Sequence, residues 1–308
     1  MRILVVGAGA IGGYFGGRML QTGRDVTFLV RPRRAAELAS AAGLVIKSPN
    51  GDATLTTPPT VQADKLDKTF DLVLLSCKAF DLDDAIRSFA PAVGPNTAIL
   101  PLLNGMRHLD VLDQRFGSNA VLGGLCAIAV TLNEGREIVQ LTPMQSLGFG
   151  ERDGKITERV RAIADAMGSG KFGAAASEKV IQDMWEKWVF LASLAASTCT
   201  MRAAVGHILA APGGKDFILG ILDECSAIAS SAGRAPTGPF SERARGMLTA
   251  EGSPLTASMF RDIKAGAPVE ADHIIGDLIA RGEAAKVPVP KLRIAYTHLK
   301  AYEKQRGS

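Results

Sequence analysis

Residues 2–20 read RILVVGAGAIGGYFGGRML, and this stretch decides which fold the first half of the chain adopts. An apolar run typical of a buried strand leads into glycines spaced G-x-G-x-x-G, and a helical pattern follows directly. Such glycines permit a tight turn, close approach of a diphosphate to the backbone, and packing of the helix on the strand. The stretch predicts a dinucleotide-binding loop, and the alternative is a glycine-rich turn in an unrelated α/β protein. The predicted cofactor contacts in the loop are Gly7, Gly9, Ala10, Ile11 and Gly12.

The end of the second strand indicates which dinucleotide the loop would hold. The strand DVTFLV covers residues 25–30, and an NAD enzyme carries Asp or Glu at its end to bind the ribose 2′-hydroxyl. This chain has Arg31 there, a side chain that can bind a 2′-phosphate through two parallel hydrogen bonds. Arg33 and Arg34 add positive charge nearby, so NADP is the predicted cofactor. A solvated basic loop is the alternative, because surface arginines are common.

The composition is that of a globular protein and excludes several classes of function. A length of 308 residues predicts two domains. The net charge of +4 and the 6% aromatic content do not form the basic stripe of a nucleic-acid-binding protein. The four cysteines form no C-x-x-C pair, so we expect a reducing cytoplasm and neither a zinc site nor a disulfide framework. The longest apolar run, residues 188–196, is shorter than the roughly 20 residues of a membrane span.

Two kinds of sequence pattern divide the chain. In residues 1–176, short continuous Val/Leu/Ile runs alternate with helical patterns, which predicts an α/β domain with a Rossmann-type doubly wound parallel sheet. Residues 135–151 are expected to add an antiparallel hairpin to the edge of that sheet. In residues 177–308, helical periodicity dominates and predicts an all-α domain. The expected helices cover residues 178–199, 215–232, 240–250, 254–264, 268–285 and 290–305.

Polar side chains follow two strands of the predicted sheet. Lys78 comes directly after DLVLLSC, and Asn104 directly after TAILPLL. Ligands of open α/β sheets bind beyond the carboxyl ends of the strands, where the strand order reverses. Lys78 could support the nicotinamide ribose or a charge on the substrate, and Asn104 could bind ribose hydroxyls or the nicotinamide amide. The alternatives are a solvated lysine and an Asn-Gly turn dipeptide.

The helical half contains three further candidates. Lys187 lies in DMWEKWVFLASLAAS on an otherwise apolar helical stripe, and burial moves a lysine pKa toward the range useful for proton donation. The alternative is an exposed ion pair with Asp183, one turn earlier. Glu270 follows Pro268 in the first turn of a predicted helix, where the helix dipole stabilises any carboxylate, and Ser258 lies on the preceding helix. The histidines show no ligand spacing, so no metal site is expected.

Together these segments resemble the ketopantoate reductases (2-dehydropantoate 2-reductases), NADP-dependent enzymes of pantothenate biosynthesis, over nearly the whole chain. The likeness rests on GAGAIGG with the arginine after the second strand, DLVLLSCKA, LLNGM, MWEKW and SMFRDIKAGAPVEAD. The resemblance implies that Lys187 is the general acid, that Glu270 supports the reacting oxygen and contacts the cofactor, and that Ser258 holds the substrate carboxylate. It also implies that Lys78 and Asn104 contact cofactor and substrate.

Three positions depart from the family pattern. Leu191 and Ala195 stand four and eight residues after the lysine, and Leu255 three residues before the serine, where the family has substrate-binding asparagines. An apolar wall selects for a substrate hydroxyl far less strongly than a polar one. We therefore expect NADPH-dependent reduction of a 2-keto acid, with ketopantoate as the first candidate. The alternatives are a more apolar 2-keto acid or a non-catalytic NADP-binding regulator. We expect a small-molecule substrate, no nucleic-acid or membrane partner, and either a monomer or a homodimer.

Overall fold

The computed structural model describes residues 1–168, 170 and 172–307, and the chain divides into two compact units. The first unit comprises Met1–Leu103 and His108–Ile181, and the second comprises Asn104–Arg107 and Gln182–Ser308. The sequence pattern places the boundary between residues 176 and 177, slightly before the structural one. Because the short segment Asn104–Arg107 groups with the second unit, Asn104 belongs to the same unit as Lys187, Ser258 and Glu270.

A parallel sheet forms the centre of the first unit. Its strands, numbered along the chain, are β1 (Arg2–Val6), β2 (Asp25–Leu29), β5 (Thr60–Val61), β6 (Leu72–Leu75) and β7 (Ala98–Pro101), in the order β5-β2-β1-β6-β7. Every residue of β6 and β7 is buried, as expected for parallel strands covered on both faces. The chain moves outward from β1 to β2 and later returns to β6, so the strand order reverses between β1 and β6. The predicted parallel α/β fold is confirmed.

A second, mixed sheet completes this unit. Its strands are β3 (Leu44–Lys47), β4 (Ala53–Leu55), β8 (Gly123–Leu132), β9 (Ile138–Gly150) and β10 (Gly173–Ala176), ordered β10-β9-β3-β4 with β8 paired to β9. The expected edge hairpin over residues 135–151 is wrong, because both of its halves lie on β9, whose antiparallel partner is β8. The pairing is irregular between Gln140 and Gln145, and Pro143, which has no N–H to donate to the ladder, lies in that interval.

The helices of the first unit share their core with both sheets. α1 carries the buried side chains of Tyr14 and Phe15, which belong to one hydrophobic cluster with Phe28 of β2 and Phe149 of β9. The Phe15 ring also meets the Phe172 ring edge-on, at 4.9 Å between centroids. The helices are α1 (Ala10–Gln21), α2 (Pro32–Ala39), α3 (Leu82–Phe89), α4 (Arg107–Phe116) and α5 (Glu158–Gly168).

The described residues of the second unit form helices and no strand, which confirms the predicted all-α class. Its helices are α6 (Val180–Met201), α7 (Val205–Ala210), α8 (Gly214–Ser231), α9 (Gly238–Leu248), α10 (Ser258–Lys264), α11 (Asp277–Ala284) and α12 (Pro290–Gly307). The short α7 was not expected, since six residues are too few to show a helical period. None of the described helices combines the length and the apolar character needed to cross a lipid bilayer.

Two of the expected helices begin later in the structure than the sequence pattern predicts. Residues 254–257 are not helical, so α10 begins at Ser258. The expected helix over residues 268–285 begins only at Ala271 and opens with one π-helical turn, Asp272–Gly276, before α11. In that turn the Asp277 N–H donates to the carbonyl of Asp272, five residues back. Glu270 therefore directly precedes the helical segment.

α6 is the central helix of the second unit, as its apolar pattern predicted. Trp188 is 1% exposed, and most residues after it are buried as well. Buried glutamates fix two other helices: the Glu186 carboxylate accepts the N–H of Thr237 at 2.9 Å, just before α9. The Glu224 carboxylate accepts the N–H groups of Lys291 and Leu292 at 3.0 and 2.9 Å, at the start of α12. A carboxylate at a helix N-terminus is stabilised by the helix dipole.

Candidate active site

The loop between β1 and α1 has the geometry that its glycines predict. Gly7 has a φ of +93°, in the region that favours glycine, and its N–H donates to the carbonyl of Leu29 at 2.9 Å. A Cβ atom added at Gly12 would lie 2.2 Å from Ser76 Oγ and 2.3 Å from the carbonyl oxygen of Gly7. No side chain fits there without displacing the backbone. Two of the three motif glycines are thus required by the turn and by the close packing of α1.

The third motif glycine is not explained by protein packing. A Cβ atom at Gly9 would meet no described atom within 4 Å. Gly9 directly precedes α1, whose first residues are Ala10 and Ile11, and the first turn of that helix contains no acidic residue. The N-terminus of a helix stabilises phosphate groups through its backbone N–H groups and the helix dipole. The backbone of Gly9, Ala10 and Ile11 therefore fits the diphosphate of a dinucleotide.

Arg31 lies where the sequence placed it, after β2 and directly before α2, and it already has two partners. Its Nη2 donates to Asp81 Oδ1 at 2.8 Å and to Asp84 Oδ2 at 2.9 Å. Hydrogen bonds to these carboxylates, Asp81 first, raise the pKa of the guanidinium. The Arg31 side chain remains 68% exposed. It is thus accessible to a ligand but its charge is shared with two carboxylates.

The other two arginines of this cluster have different surroundings. Arg33 donates to Glu37 at 3.1 Å on the exposed side of α2. Arg34 is mostly buried, donates to Glu37 at 3.0 Å, and donates through Nε to the carbonyl of Ala8 at 3.1 Å. Arg136 of the β8–β9 connection donates to the same Glu37 carboxylate at 2.6 Å. Arg34 therefore supports the glycine loop itself, a role that the sequence pattern did not reveal.

Lys78 lies beyond the carboxyl end of β6, beside the point where the strand order reverses. The Ser76 hydroxyl donates to the carbonyl of Val6 at 3.1 Å, which holds this end of β6 beside the end of β1. Lys78 is exposed, and a single 3-10 turn, Ala79–Asp81, follows it. The Asp81 N–H donates to the Lys78 carbonyl at 3.0 Å. One short segment therefore carries Lys78 and a partner of Arg31.

In the second unit, one buried hydrogen bond joins the elements that carry Lys187 and Glu270. Lys187 is half-buried on α6, and its neighbour Trp188 donates through Nε1 to the carbonyl of Ile274 at 3.0 Å. Ile274 lies in the π-helical turn, and its own N–H donates to the carbonyl of Glu270 at 2.9 Å. Glu270 is half-buried. The segments that carry the two predicted catalytic residues are thus joined through Trp188 and Ile274.

Asn104 is attached to the same π-helical turn. A hydrogen bond links the His273 ring to the backbone of Asn104, and burial lowers the pKa of this histidine below its usual value. His273 is 6% exposed, and a Cβ atom at Gly105 would lie 3.1 Å from its carbonyl oxygen. The sequence offered His273 no role. In the structure it fixes the loop that carries Asn104 against the turn that follows Glu270.

One face of α6 connects Lys187 with the segment of Ser258. Lys187, Leu191, Ala195 and Thr198 follow the helical repeat and lie on one side of the helix. The Thr198 hydroxyl accepts the N–H of Ala257 at 3.3 Å, directly before Ser258. Leu255 is half-buried in the same segment, and its carbonyl accepts the N–H of Val205 at 3.0 Å. Ser258 is exposed at the start of α10. Residues Leu191, Ala195 and Leu255, here called the apolar wall, thus lie on this helical face and on the segment bonded to it.

The predicted residues fall into two sets. The first unit holds the glycine loop, Arg31 and Lys78, and the second unit holds Asn104, Lys187, Ser258 and Glu270. Within the second unit the π-helical turn links three of its four members. Sequence reasoning missed the residues that position them. A signal existed for some: two tryptophans flank Lys187 in MWEKW, and acidic residues cluster after Lys78 in KAFDLDD.

Two models of known protein families together match most of the chain. The family described as Ketopantoate reductase PanE/ApbA matches residues 3–154, and its partner, Ketopantoate reductase PanE/ApbA C terminal, matches residues 179–303. The chain belongs to the ketopantoate reductase family. The resemblance inferred from the sequence is thus confirmed. The members of this family are oxidoreductases.

Individual relatives cover nearly its full length. This family member is 34% identical over 306 residues to an uncharacterized oxidoreductase, YkpB, of Bacillus subtilis (strain 168), which covers 99% of this chain and 100% of that one. It resembles the crystal structure of 2-dehydropantoate 2-reductase from Geobacter metallireducens GS-15, with a TM-score of 0.88, 27% identity, and coverage of 98% and 99%. A ternary structure of D-mandelate dehydrogenase with NADH and anilino(oxo)acetate has the same TM-score of 0.88, with coverage of 100% and 99%. Its identity of 18% makes that a likeness of fold alone.

Proposed function

We propose that this protein is an NADPH-dependent reductase that converts a 2-keto acid to a 2-hydroxy acid, with ketopantoate as the leading substrate and pantoate as its product. The proposal is carried by the connection from Trp188 through Ile274 to Glu270, which joins the helix of Lys187 to the backbone of Glu270. Membership of the ketopantoate reductase family supports the same reaction class.

The residues present fit a nicotinamide dinucleotide phosphate. The backbone N–H groups of Gly9, Ala10 and Ile11 would hold the diphosphate, and Arg31 would hold the 2′-phosphate. Lys78, Asn104 and Glu270 are the proposed contacts of the nicotinamide half. When bound, NADPH supplies the hydride that reduces the carbonyl carbon of the substrate.

The side chains of the second unit supply the remaining chemistry. Lys187 donates a proton to the keto oxygen as that oxygen gains negative charge, and its ammonium stabilises the charge until the proton is transferred. Glu270 accepts a hydrogen bond from the resulting hydroxyl and fixes its orientation. The Ser258 hydroxyl donates to the substrate carboxylate, which orients the 2-keto acid.

A second candidate substrate class is favoured by the apolar wall, two residues of which lie on α6. Leu191 is half-buried, Ala195 is 3% exposed, and both follow Lys187 on the same helical face. A substrate hydroxyl placed against such a surface would lose its hydrogen bonds to water without replacement, which disfavours it. A 2-keto acid with an apolar tail would meet no such cost.

A substrate panel tests the proposal. The protein is mixed with NADPH or NADH and with ketopantoate, 2-ketoisovalerate, pyruvate or phenylglyoxylate, and loss of nicotinamide absorbance is followed. We expect turnover of at least one 2-keto acid with a preference for NADPH. Tight NADPH binding without turnover of any 2-keto acid would contradict the reductase and favour the non-catalytic regulator.

A further inference from the structure

The two hydrogen bonds of Arg31 use a nitrogen that a phosphate would also need. Both Asp81 and Asp84 accept from Nη2, which carries only two N–H groups. A guanidinium binds a phosphate through an edge that presents two nitrogens, and Nη2 belongs to both such edges. A 2′-phosphate that engages Arg31 through two hydrogen bonds must therefore displace at least one of the two carboxylates.

Both carboxylates belong to the short helical segments that follow Lys78. Asp81 ends the 3-10 turn after Lys78, and its N–H is bonded to the Lys78 carbonyl at 3.0 Å. Asp84 follows three residues later in the first turn of α3. A phosphate approaching Arg31 thus meets two negative charges, one of which, on Asp84, is also paired with Arg87 at 3.3 Å. Their repulsion acts on the phosphate of NADPH, whereas the ribose hydroxyl of NADH carries no charge for them to repel.

We propose that Asp81 and Asp84 are cofactor-specificity residues that compete with the 2′-phosphate for Arg31 and so lower the affinity for NADPH without lowering that for NADH. The inference rests on the proposed function, in which Arg31 holds the 2′-phosphate. Both carboxylates and the arginine are exposed enough for solvent to screen the pairs, at 37%, 51% and 68% for the side chains of Asp81, Asp84 and Arg31. The effect of each carboxylate on NADPH affinity is therefore modest.

Charge-removing variants test the proposal, and the chain offers a matched control. Dissociation constants for NADPH and NADH are measured by nicotinamide fluorescence for the wild type and for Asp81→Asn, Asp84→Asn and the double variant. Asp83→Asn is the control, because it removes the same charge from the same helix, while the Arg31 ion pairs are made by its neighbours. We expect about threefold tighter NADPH binding for each single variant and about tenfold for the double variant. The NADH dissociation constant and that of the control should change by less than about twofold.

Combination with Arg31→Ala shows whether the effect passes through the arginine. In that background the Asp81→Asn change should no longer tighten NADPH binding, since the shared partner is gone. NADPH binding that is unchanged or weaker in the aspartate variants, or no tighter than in Asp83→Asn, would overturn the inference. If Arg31 does not bind the 2′-phosphate at all, the result is different. Arg31→Ala alone would then leave NADPH affinity at its wild-type value.

Discussion

The indole nitrogen of Trp188 donates to the carbonyl oxygen of Ile274 at 3.0 Å, inside the core of the helical unit. The N–H of the same Ile274 donates to the carbonyl of Glu270 at 2.9 Å. A single peptide segment therefore connects the neighbour of the proposed proton donor with the proposed supporting carboxylate. The relative placement of Lys187 and Glu270 depends on a side chain that itself performs no chemistry.

Trp188→Phe tests this positioning role. The change leaves the Ile274 carbonyl buried without its donor, which should cost about 1–3 kcal/mol in the free energy of unfolding. Turnover should fall at least about tenfold, because a small misplacement of reacting groups is costly, and KM should change less than kcat. Trp185→Phe is the control: its ring packs 5.0 Å from that of Trp188 but leaves the bond to Ile274 in place. Equal loss of turnover in both variants would indicate a packing role only.

Lys187→Ala tests the proposed general acid. We expect NADPH affinity to stay near the wild-type value and kcat to fall by about 100-fold or more. Lys215→Ala, an exposed lysine on α8, serves as the charge-matched control and should keep normal turnover. If Lys187→Ala retains wild-type kcat, the lysine is structural.

The apolar wall leads to a prediction about substrate choice. The second candidate substrate class predicts a higher kcat/KM for 2-ketoisovalerate than for ketopantoate, because the 4-hydroxyl of ketopantoate would be desolvated against Leu191, Ala195 and Leu255 at a cost of roughly 1–3 kcal/mol. The double change Leu191→Asn with Ala195→Asn should raise kcat/KM for ketopantoate relative to 2-ketoisovalerate. A melting curve checks that α6 accepts both polar groups. A wild type that already prefers ketopantoate by about 100-fold would contradict the prediction and point to other donors for the hydroxyl.

His273 makes the stability of the helical unit depend on pH. Burial lowers its pKa from the usual 6.5, although Glu270, Asp277 and the Asn104 backbone oppose the shift and Arg107 adds to it. Below pH 6.5 the unfolded ring therefore gains a proton that the folded ring does not. Unfolding free energy should fall as pH decreases, by up to about 1.4 kcal/mol per pH unit, until the folded pKa is reached.

Denaturant titrations between pH 7.5 and 5.0 measure this dependence. His273→Asn should reduce the slope of unfolding free energy against pH, whatever its effect on absolute stability. His207→Asn, an exposed histidine on α7, is the comparison. Burial also lowers the pKa of His298, but that residue is present in both variants and cancels from the difference. An unchanged slope in His273→Asn would mean that the ring titrates equally in both states.

The cysteines should differ widely in reactivity. Burial raises the pKa of Cys199 and of Cys225 to about 12, so almost no thiolate forms at neutral pH. Cys77 is half-buried and directly precedes Lys78. A thiol reagent should modify Cys77 at least about 100-fold faster than the two buried thiols. Saturating NADPH should slow the Cys77 reaction, with a Cys77→Ser variant as the control; equal rates at all three thiols would contradict this prediction.

The sequence predicted those features whose signals are local. The strand, glycine turn and helix of residues 2–20 follow from spacing alone, as do the long helices α6 and α8. The mixed sheet was not predictable, because β3 and β10 pair with β9 across intervals of about a hundred and about thirty residues. Strands of only four residues, such as β3 and β10, owe their conformation to these distant partners.

The candidate site divides in the same way. Residue types at strand ends and on the α6 stripe identified Lys78, Asn104 and Lys187 as candidates. Their supports are non-local: Trp188 meets Ile274 across 86 residues, and Arg31 meets Asp81 across 50. No periodicity encodes such contacts, so sequence reasoning gave Arg31 two neighbouring arginines and missed the two carboxylates to which it donates.

The π-helical turn makes the length of one short segment part of the active-site design. It holds one residue more than the corresponding α-helical turn, and the extra residue lies between Glu270 and α11. Removing one residue of Asp272–Gly276 other than His273 or Ile274 would let a regular helix run on from Ala271, but would rotate Glu270 by about 100° about the helix axis and shift it by about 1.5 Å. A homologue with a one-residue deletion here would thus conserve all the candidate site residues. Its glutamate would nevertheless point in another direction.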